Sequence, residues 1–288
     1  MNDTLLRTSL LDILQSLGSA AAGVLLAGGY GLYLQQLHLR ESAQRTLIEA
    51  NLWPTPRATQ DIDLILSAEL VADAQSMGAV RSTLDKLQYK VVQSAKFLQF
   101  QRTIAGSKVV KIDLLTAQLD TLENHPAIQA NDRRARPVTS DRPELHAHPT
   151  DGALLLMESP LRINVQGTLS AGAAFQTKVA IPHPFAYLLM KLTAYRDRRT
   201  DRNKDLGRHH ALDLFRIVAM LTEPQPDQVQ ANLRQWADNA QVRSCKKLVK
   251  SDFASPTAPG VLAMRQHPLW QNDAQLDVFL EALNELFS

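Results

Sequence analysis

Two aspartates, Asp61 and Asp63 in the run ATQDIDLIL, stand two residues apart in a segment otherwise rich in Ile and Leu. In a strand, such residues project from one face while Ile62 and Leu64 turn to the other. Two like charges held side by side repel each other unless a cation joins them. Oxygen ligands of this kind suit a hard divalent ion, Mg2+ (or Mn2+), and Mg2+ keeps positions for water and substrate phosphate. Asp113 lies at the end of a second β-like run, KVVKIDLL, and would meet the pair if the two strands are neighbours. The ordinary alternative is that Asp-x-Asp merely opens an exposed strand. Gly28-Gly29 follows the apolar run VLLA and precedes a helix, where two glycines let a phosphate approach the backbone N–H groups of a helix start. A plain tight turn is the competing explanation.

These residues need a scaffold. Leu6, Leu10, Ile13, Leu14 and Leu17 fall at helical spacing over the first 18 residues. AAGVLLAGG reads as a short strand and turn, GYGLYLQQLHLRESAQRTLIEANL as a helix, TPRATQ as a loop and DIDLILS as a strand. A helix follows in ELVADAQSMGAVRSTLDKL, then strands in YKVVQ, FLQFQRTI and KVVKIDLL. The order αβαβαβββ over residues 1–116 predicts one mixed sheet flanked by helices. Residues 117–150 read as a long connection and a candidate lid or binding loop. Strands are expected in ALLLMES, LRINVQG and QTKVAIP, and helices in FAYLLMKLTAYRDRR, LGRHHALDLFRIVAML, DQVQANLRQWADNA and DAQLDVFLEALNELF. The expected fold class is α+β, with an α/β domain over 1–182 and a helical domain over 183–288.

Composition narrows the function classes. The 288 residues include one cysteine, Cys245, which excludes an internal disulfide framework and a cysteine-based zinc site and suits a reducing compartment. The longest apolar stretch, Ala20–Leu34, carries four glycines in 15 residues and does not read as a membrane span. With Asp3 and Asp12 in the first helix, no secretion signal is read, so a cytoplasmic protein is expected. The net charge of +2 is uneven: zero over residues 1–150, +6 over 151–250 and −4 over 251–288. A basic hundred-residue segment points to an anionic ligand.

With these elements in order, LLAGGYGLYL, RATQDIDLIL and VKIDLL resemble the nucleotidyltransferase-fold proteins of the polymerase-beta superfamily, and within it the AbiEii-like group, many of them toxins of toxin–antitoxin pairs. The most specific element is Arg57, Thr59, Asp61, Ile62, Asp63 and Leu64. The resemblance implies that Gly28 and Gly29 touch nucleotide phosphates and that Asp61 and Asp63 hold the metal ions. Asp113 would complete the metal site or help activate the acceptor hydroxyl. A second block, Lys191, Ala194, Arg198, Lys204-Asp205 and Asp213-Leu214, resembles the family's helical motif. It would give Lys191 to the leaving pyrophosphate, with Asp205 and Asp213 beside the nucleotide; taken alone, Lys191 reads as a surface lysine. Two features depart from the family. The stretch from Gly29 to Asp61 is long, which implies an extra turn or helix extension in ESAQRTLIEANLWP. His209-His210 also stand where a basic residue and an aspartate are usual.

The resemblance thus implies a metal-dependent enzyme that moves an NMP from an NTP to an acceptor hydroxyl. The acceptor would be tRNA or another RNA, and an antitoxin protein would be a partner. The alternatives are NMP transfer to a protein hydroxyl, or a non-catalytic module that binds a nucleotide or partner. Among the remaining features, His209, His210 and Asp213 share a helix face and could be read as metal ligands, but a role on the helix surface or in supporting other site residues is favoured because no further clustered His or Cys supports ligation. The charged run YRDRRTDRNKDLGRH is either a solvated helix end with internal ion pairs or a phosphate-contact surface. The arginines of the RRAR run at 133–136 lie in the long connection. Trp53, Trp236 and Trp270 are too scattered for a stacking platform. Lys246 and Lys247 could lower the Cys245 pKa, but no paired base stands out.

Overall fold

The computed structural model describes residues 3–56, 59–104, 108–139, 145–271 and 273–288. The chain is α+β, with a mixed sheet flanked by helices. It divides into two compact units: the described parts of 1–31, 58–150 and 155–182, and those of 32–57, 151–154 and 183–288.

In the first unit, the leucine spacing produces helix α1 (Asp3–Leu17), with Leu6, Leu10, Ile13, Leu14 and Leu17 all buried. Strand β1 (Val24–Leu26) is buried at each position. Helix α2 (Gly28–Ser42) starts in this unit, and its residues from Leu32 belong to the second. Strand β2 (Asp61–Leu66) is followed by α3 (Ala68–Ala72) and α4 (Ala74–Lys86). One helix is expected over these last two elements. The break falls at Asp73, whose carboxylate accepts from the N–H groups of Gln75 and Ser76 and so caps a new helix. Then come β3 (Lys90–Val91), β4 (Gln99–Ile104) and β5 (Lys108–Thr116).

The described part of the stretch read as a long connection is structured. It holds helix α5 (Leu119–Glu123), a hairpin of β6 (Ile128–Ala130) and β7 (Ala135–Pro137), and β8 (His148–Pro149) paired with β5. Three-residue strands are too short to show an alternation, which is why periodicity misses them. The last strands are β9 (Leu161–Thr168) and β10 (Ala174–Ile181). ALLLMES, expected as a strand, is a turn: Leu155 has φ 55° and Ser159 φ 48°, while Ala153, Leu154 and Leu156 are buried.

The main sheet runs β3-β4-β5-β2-β1-β10-β9, with β8 beside β5. β2 and β5 are parallel, as are β1 and β10, whereas β1–β2, β4–β5 and β9–β10 are antiparallel. Asp12 of α1 is buried and bonded to the backbone and hydroxyl of Ser170, which ties α1 to the β9–β10 turn.

The second unit is helical: α6 (Pro184–Arg198), α7 (Arg208–Ala219), α8 (Gln225–Gln235), α9 (Ala240–Asp252), α10 (Pro259–Arg265) and α11 (Leu276–Leu286). α9 and α10 are additions to the sequence reading. α6 opens with Pro184 and is capped by His183, whose Nδ1 accepts from the Phe185 N–H. Phe215 of α7 packs edge-on to Trp270 at 4.9 Å and against Phe279 at 5.3 Å. Of the extra turn or helix extension expected here, the helix extension is absent, since the helix ends at Ser42 and Ala43 takes φ 50°, and a short 3-10 turn forms at Ala50–Leu52. The chain instead returns to the end of α7, where Leu47 and Ile48 donate N–H bonds to Leu221 and Ala219, and the buried Trp53 indole donates to Ile48. Among the described residues, no helix is long and apolar enough to cross a membrane.

Candidate functional site

The parallel pairing of β2 with β5 supplies the neighbour relation that the sequence leaves conditional. Asp63 lies in register with Asp113, and Asp61 with Lys111. Partners in register share a face, so Asp61, Asp63, Lys111 and Asp113 project together while Ile62, Leu64, Ile112 and Leu114 are buried on the other side. β4 extends this polar row, with Gln99 opposite Asp113 and Gln101 opposite Lys111. Gln99 Nε2 donates to Asp113 Oδ1 at 2.6 Å. Thr59 holds the start of β2, its hydroxyl oxygen accepting from the Asp61 N–H at 3.2 Å. Arg57 lies outside the described residues.

Gly28 has φ +64°, a conformation that L side chains rarely adopt, and a Cβ built on it would overlap the Asp63 carboxylate. The Ala27 N–H donates to the Asp63 carbonyl at 2.9 Å, so the turn is fastened to β2 beside the carboxylate. Gly29 follows as the second residue of α2. The positive end of α2 thus starts against an acidic row.

Burial raises the Asp113 pKa above its ordinary 3.8; the Asp61 charge adds to this, while the Gln99 bond, Lys111 and His148 oppose it. Ionising Asp113 therefore costs folding free energy. Its favourable contribution is complete below pH 3.8 and is lost as pH rises through the folded value. Asp113→Asn keeps an acceptor for Gln99 and removes the charge. In buffer with EDTA, the variant is expected to melt above the wild type at pH 7–8, with the gap closing toward pH 4, as measured by thermal unfolding across pH.

The Asp61, Asp63 and Asp113 oxygens do not close to within 4.8 Å of one another as a set; among the described residues, the group that does is Asp205, His209 and His267. Asp205 Oδ2 is 3.4 Å from His209 Nδ1, which is 2.8 Å from His267 Nε2. This corrects the sequence reading of His209, since another histidine does cluster with it. His267 lies 58 residues away and comes near through the packing of α10 on α7, so no local spacing signals it. His210 and Asp213 take no part in the group. Lys111 is the other residue missed, although its i, i+2 relation to Asp113 is visible in KID.

Lys191 is a buried residue, not a surface lysine: it is 6% exposed, and its ammonium sits 2.7 Å from Asp213 Oδ2. Arg216 reaches Asp213 Oδ1 at 3.2 Å and Gln36 Oε1 at 2.8 Å, so the four form a buried polar chain. In the basic run, Arg196 pairs with Asp197, Lys204 with Asp201 and Arg208 with Asp205, while Arg199 pairs outside it with Asp252 of α9. In the 133–136 run, Arg136 bonds Gln129 across the β6–β7 hairpin. Cys245 is buried, and burial pushes its thiol up to about 11, which overrides any lowering by Lys246 and Lys247 and removes it as a nucleophile. In comparison with known proteins, no family model, no curated protein and no solved structure matches the chain.

Proposed function

We propose that the chain is a metal-dependent nucleotidyltransferase that moves an NMP from an NTP to an acceptor hydroxyl, breaking the α–β phosphoanhydride bond and releasing pyrophosphate. The observation that carries this reading is the in-register pairing of Asp63 with Asp113 on one face with Asp61, against a glycine turn that has no room for a side chain. The donor set is all oxygen and partly exposed, which fits Mg2+ or Mn2+. Asp61 and Asp63 would hold the ion, with Asp113 completing its ligands. When bound, a divalent ion supplies charge neutralisation on the phosphates and lowers the pKa of a coordinated oxygen.

The protein's own residues would do the rest. Gly28 and Gly29 would bring the backbone at the start of α2 close to the phosphate oxygens. Asp113, with its raised pKa, is suited to take the proton of the attacking hydroxyl. Gln99 holds its carboxylate in place. Because the Lys191 ammonium is already engaged by Asp213, the proposal rests on the first unit's residues alone. A toxin role, an antitoxin partner and a tRNA acceptor extend this proposal through the family resemblance.

The test is incubation with each α-labelled NTP, Mg2+ and either total tRNA or total protein. Label is expected in one acceptor pool and none after chelation. Label in protein alone would replace the RNA acceptor by a protein hydroxyl. NTP binding without transfer to either pool would replace the enzyme by a binding module.

A further inference from the structure

We infer that Asp205, His209 and His267 form a binding site for a divalent transition-metal ion, Zn2+ by its ligand chemistry. All three belong to the second unit. An ion bound to histidine nitrogen at about 2.0–2.1 Å and to carboxylate oxygen at about 2.0–2.2 Å sets its ligand atoms about 3.3 Å apart in a tetrahedron. Asp205 Oδ2 and His209 Nδ1 are already 3.4 Å apart, and the two histidine nitrogens at 2.8 Å need to open by about 0.5 Å. Two of the three ligand pairs are therefore near ligating separation, and one ligand atom from each residue lies within 4.8 Å of the others.

The hydrogen bonding shows what such an ion would satisfy. The Leu269 N–H donates to His267 Nδ1 at 3.0 Å. With Nδ1 an acceptor, neutral His267 carries its proton on Nε2 and gives it to His209 Nδ1. His209 Nδ1 then has no proton for Asp205, and Asp205 Oδ2 is buried without a hydrogen-bond partner. A buried unsatisfied carboxylate oxygen is uncommon in a folded protein and calls for an explanation. Protonating His209 would set two N–H groups against each other across 2.8 Å, so an added proton does not resolve the conflict.

A cation at the centre resolves it. Asp205 Oδ2, His209 Nδ1 and His267 Nε2 would each direct a lone pair at the ion, and the His267 proton would move from Nε2 to Nδ1. No proton is gained or lost by the imidazole. His267 Nδ1–H would then face the Leu269 N–H across 3.0 Å, so the ring has to turn away from it on loading, and a water would take the N–H of the half-buried Leu269. Two imidazoles and one carboxylate select a first-row transition ion over Mg2+ or Ca2+. His267 is buried while His209 is 42% and Asp205 32% exposed in the side chain, which leaves an entry path and room for a water as fourth ligand. The ion would tie the turn before α7 to the chain just after α10.

The experiment uses the full chain without a histidine tag, stripped with EDTA, desalted and titrated with ZnCl2 against a chromophoric chelator, with Co2+ as a spectroscopic substitute. One Zn2+ per chain, a higher Tm on loading and the visible absorption of four-coordinate Co2+ are expected. His267→Gln and Asp205→Asn should each weaken Zn2+ binding at least about tenfold, the low end of what losing even a ligand's supporting hydrogen bond costs. Each should also lose the gain in Tm. Asp205→Asn is nearly isosteric and partly exposed, so it reports on the site even if His267→Gln fails to fold. Absence of stoichiometric Zn2+ binding, or binding unchanged in Asp205→Asn, overturns the inference. A Zn2+ equivalent lost in Asp63→Asn but kept in Asp205→Asn also overturns it, by moving the ion to the carboxylate row.

Discussion

Asp213→Ala is expected to destabilise the protein by about 3–5 kcal/mol, the usual cost of removing one partner from a buried ion pair. Asp213 is 1% exposed and takes the Lys191 ammonium on one oxygen and the Arg216 guanidinium on the other. Without it, two cations would remain buried near each other with their compensating charge gone. Lys191→Met is expected to cost much less, because Arg216 still neutralises Asp213 and the methionine fills a similar volume. Urea unfolding of the two variants measures the contrast. Equal, small losses in both would mean that the chain Lys191–Asp213–Arg216–Gln36 is not a structural unit.

Gly28→Ala is expected to have the next largest effect, and on two readouts. The left-handed φ of +64° costs an L residue about 1–2 kcal/mol. The added methyl must also displace the Asp63 carboxylate, whose oxygen lies where the Cβ would go. We expect a loss of stability of about 2 kcal/mol or more, adding this collision to the backbone cost. Misplacing a reacting group by about 1 Å costs roughly 100-fold in rate, so a comparable fall in NMP transfer is expected even where the variant folds. Gly172→Ala makes a suitable control: its φ is +88°, but no atom lies within 4 Å of the built Cβ. A melting study and a transfer assay on both variants separate backbone strain from displacement of Asp63. Equal activity in the two would mean that Gly28 does not position the carboxylate.

The residues of the acidic row were legible because they obey a local rule. DIDLIL alternates polar and apolar positions, and the burial pattern of β2 follows that alternation through Leu64. KID does the same on β5. What local spacing leaves open is that strands 50 residues apart pair in parallel with Asp63 beside Asp113, a long-range choice made by the packing of α1, α4 and the sheet. The same limit explains the other differences. Lys191 looks amphipathic in its own helix and is buried only because α7 brings Asp213 and Arg216 to it. His267 joins Asp205 and His209 across 58 residues. The β6–β7 hairpin consists of strands shorter than one alternation can reveal. ALLLMES is apolar enough for a strand, but its backbone turns at Leu155.

The most direct measurement of the central claim is label transfer from α-labelled NTP by the wild type, Asp63→Asn and Asp113→Asn, each checked for folding by thermal melting. The acidic row as a nucleotidyl-transfer site requires Mg2+-dependent transfer by the wild type. Both variants should fall by at least about a hundredfold, consistent with the loss of a positioned acid–base or metal-holding group. In metal-free buffer, Asp113→Asn should also melt higher than the wild type at neutral pH. Undiminished transfer by a folded Asp63→Asn protein would contradict the account.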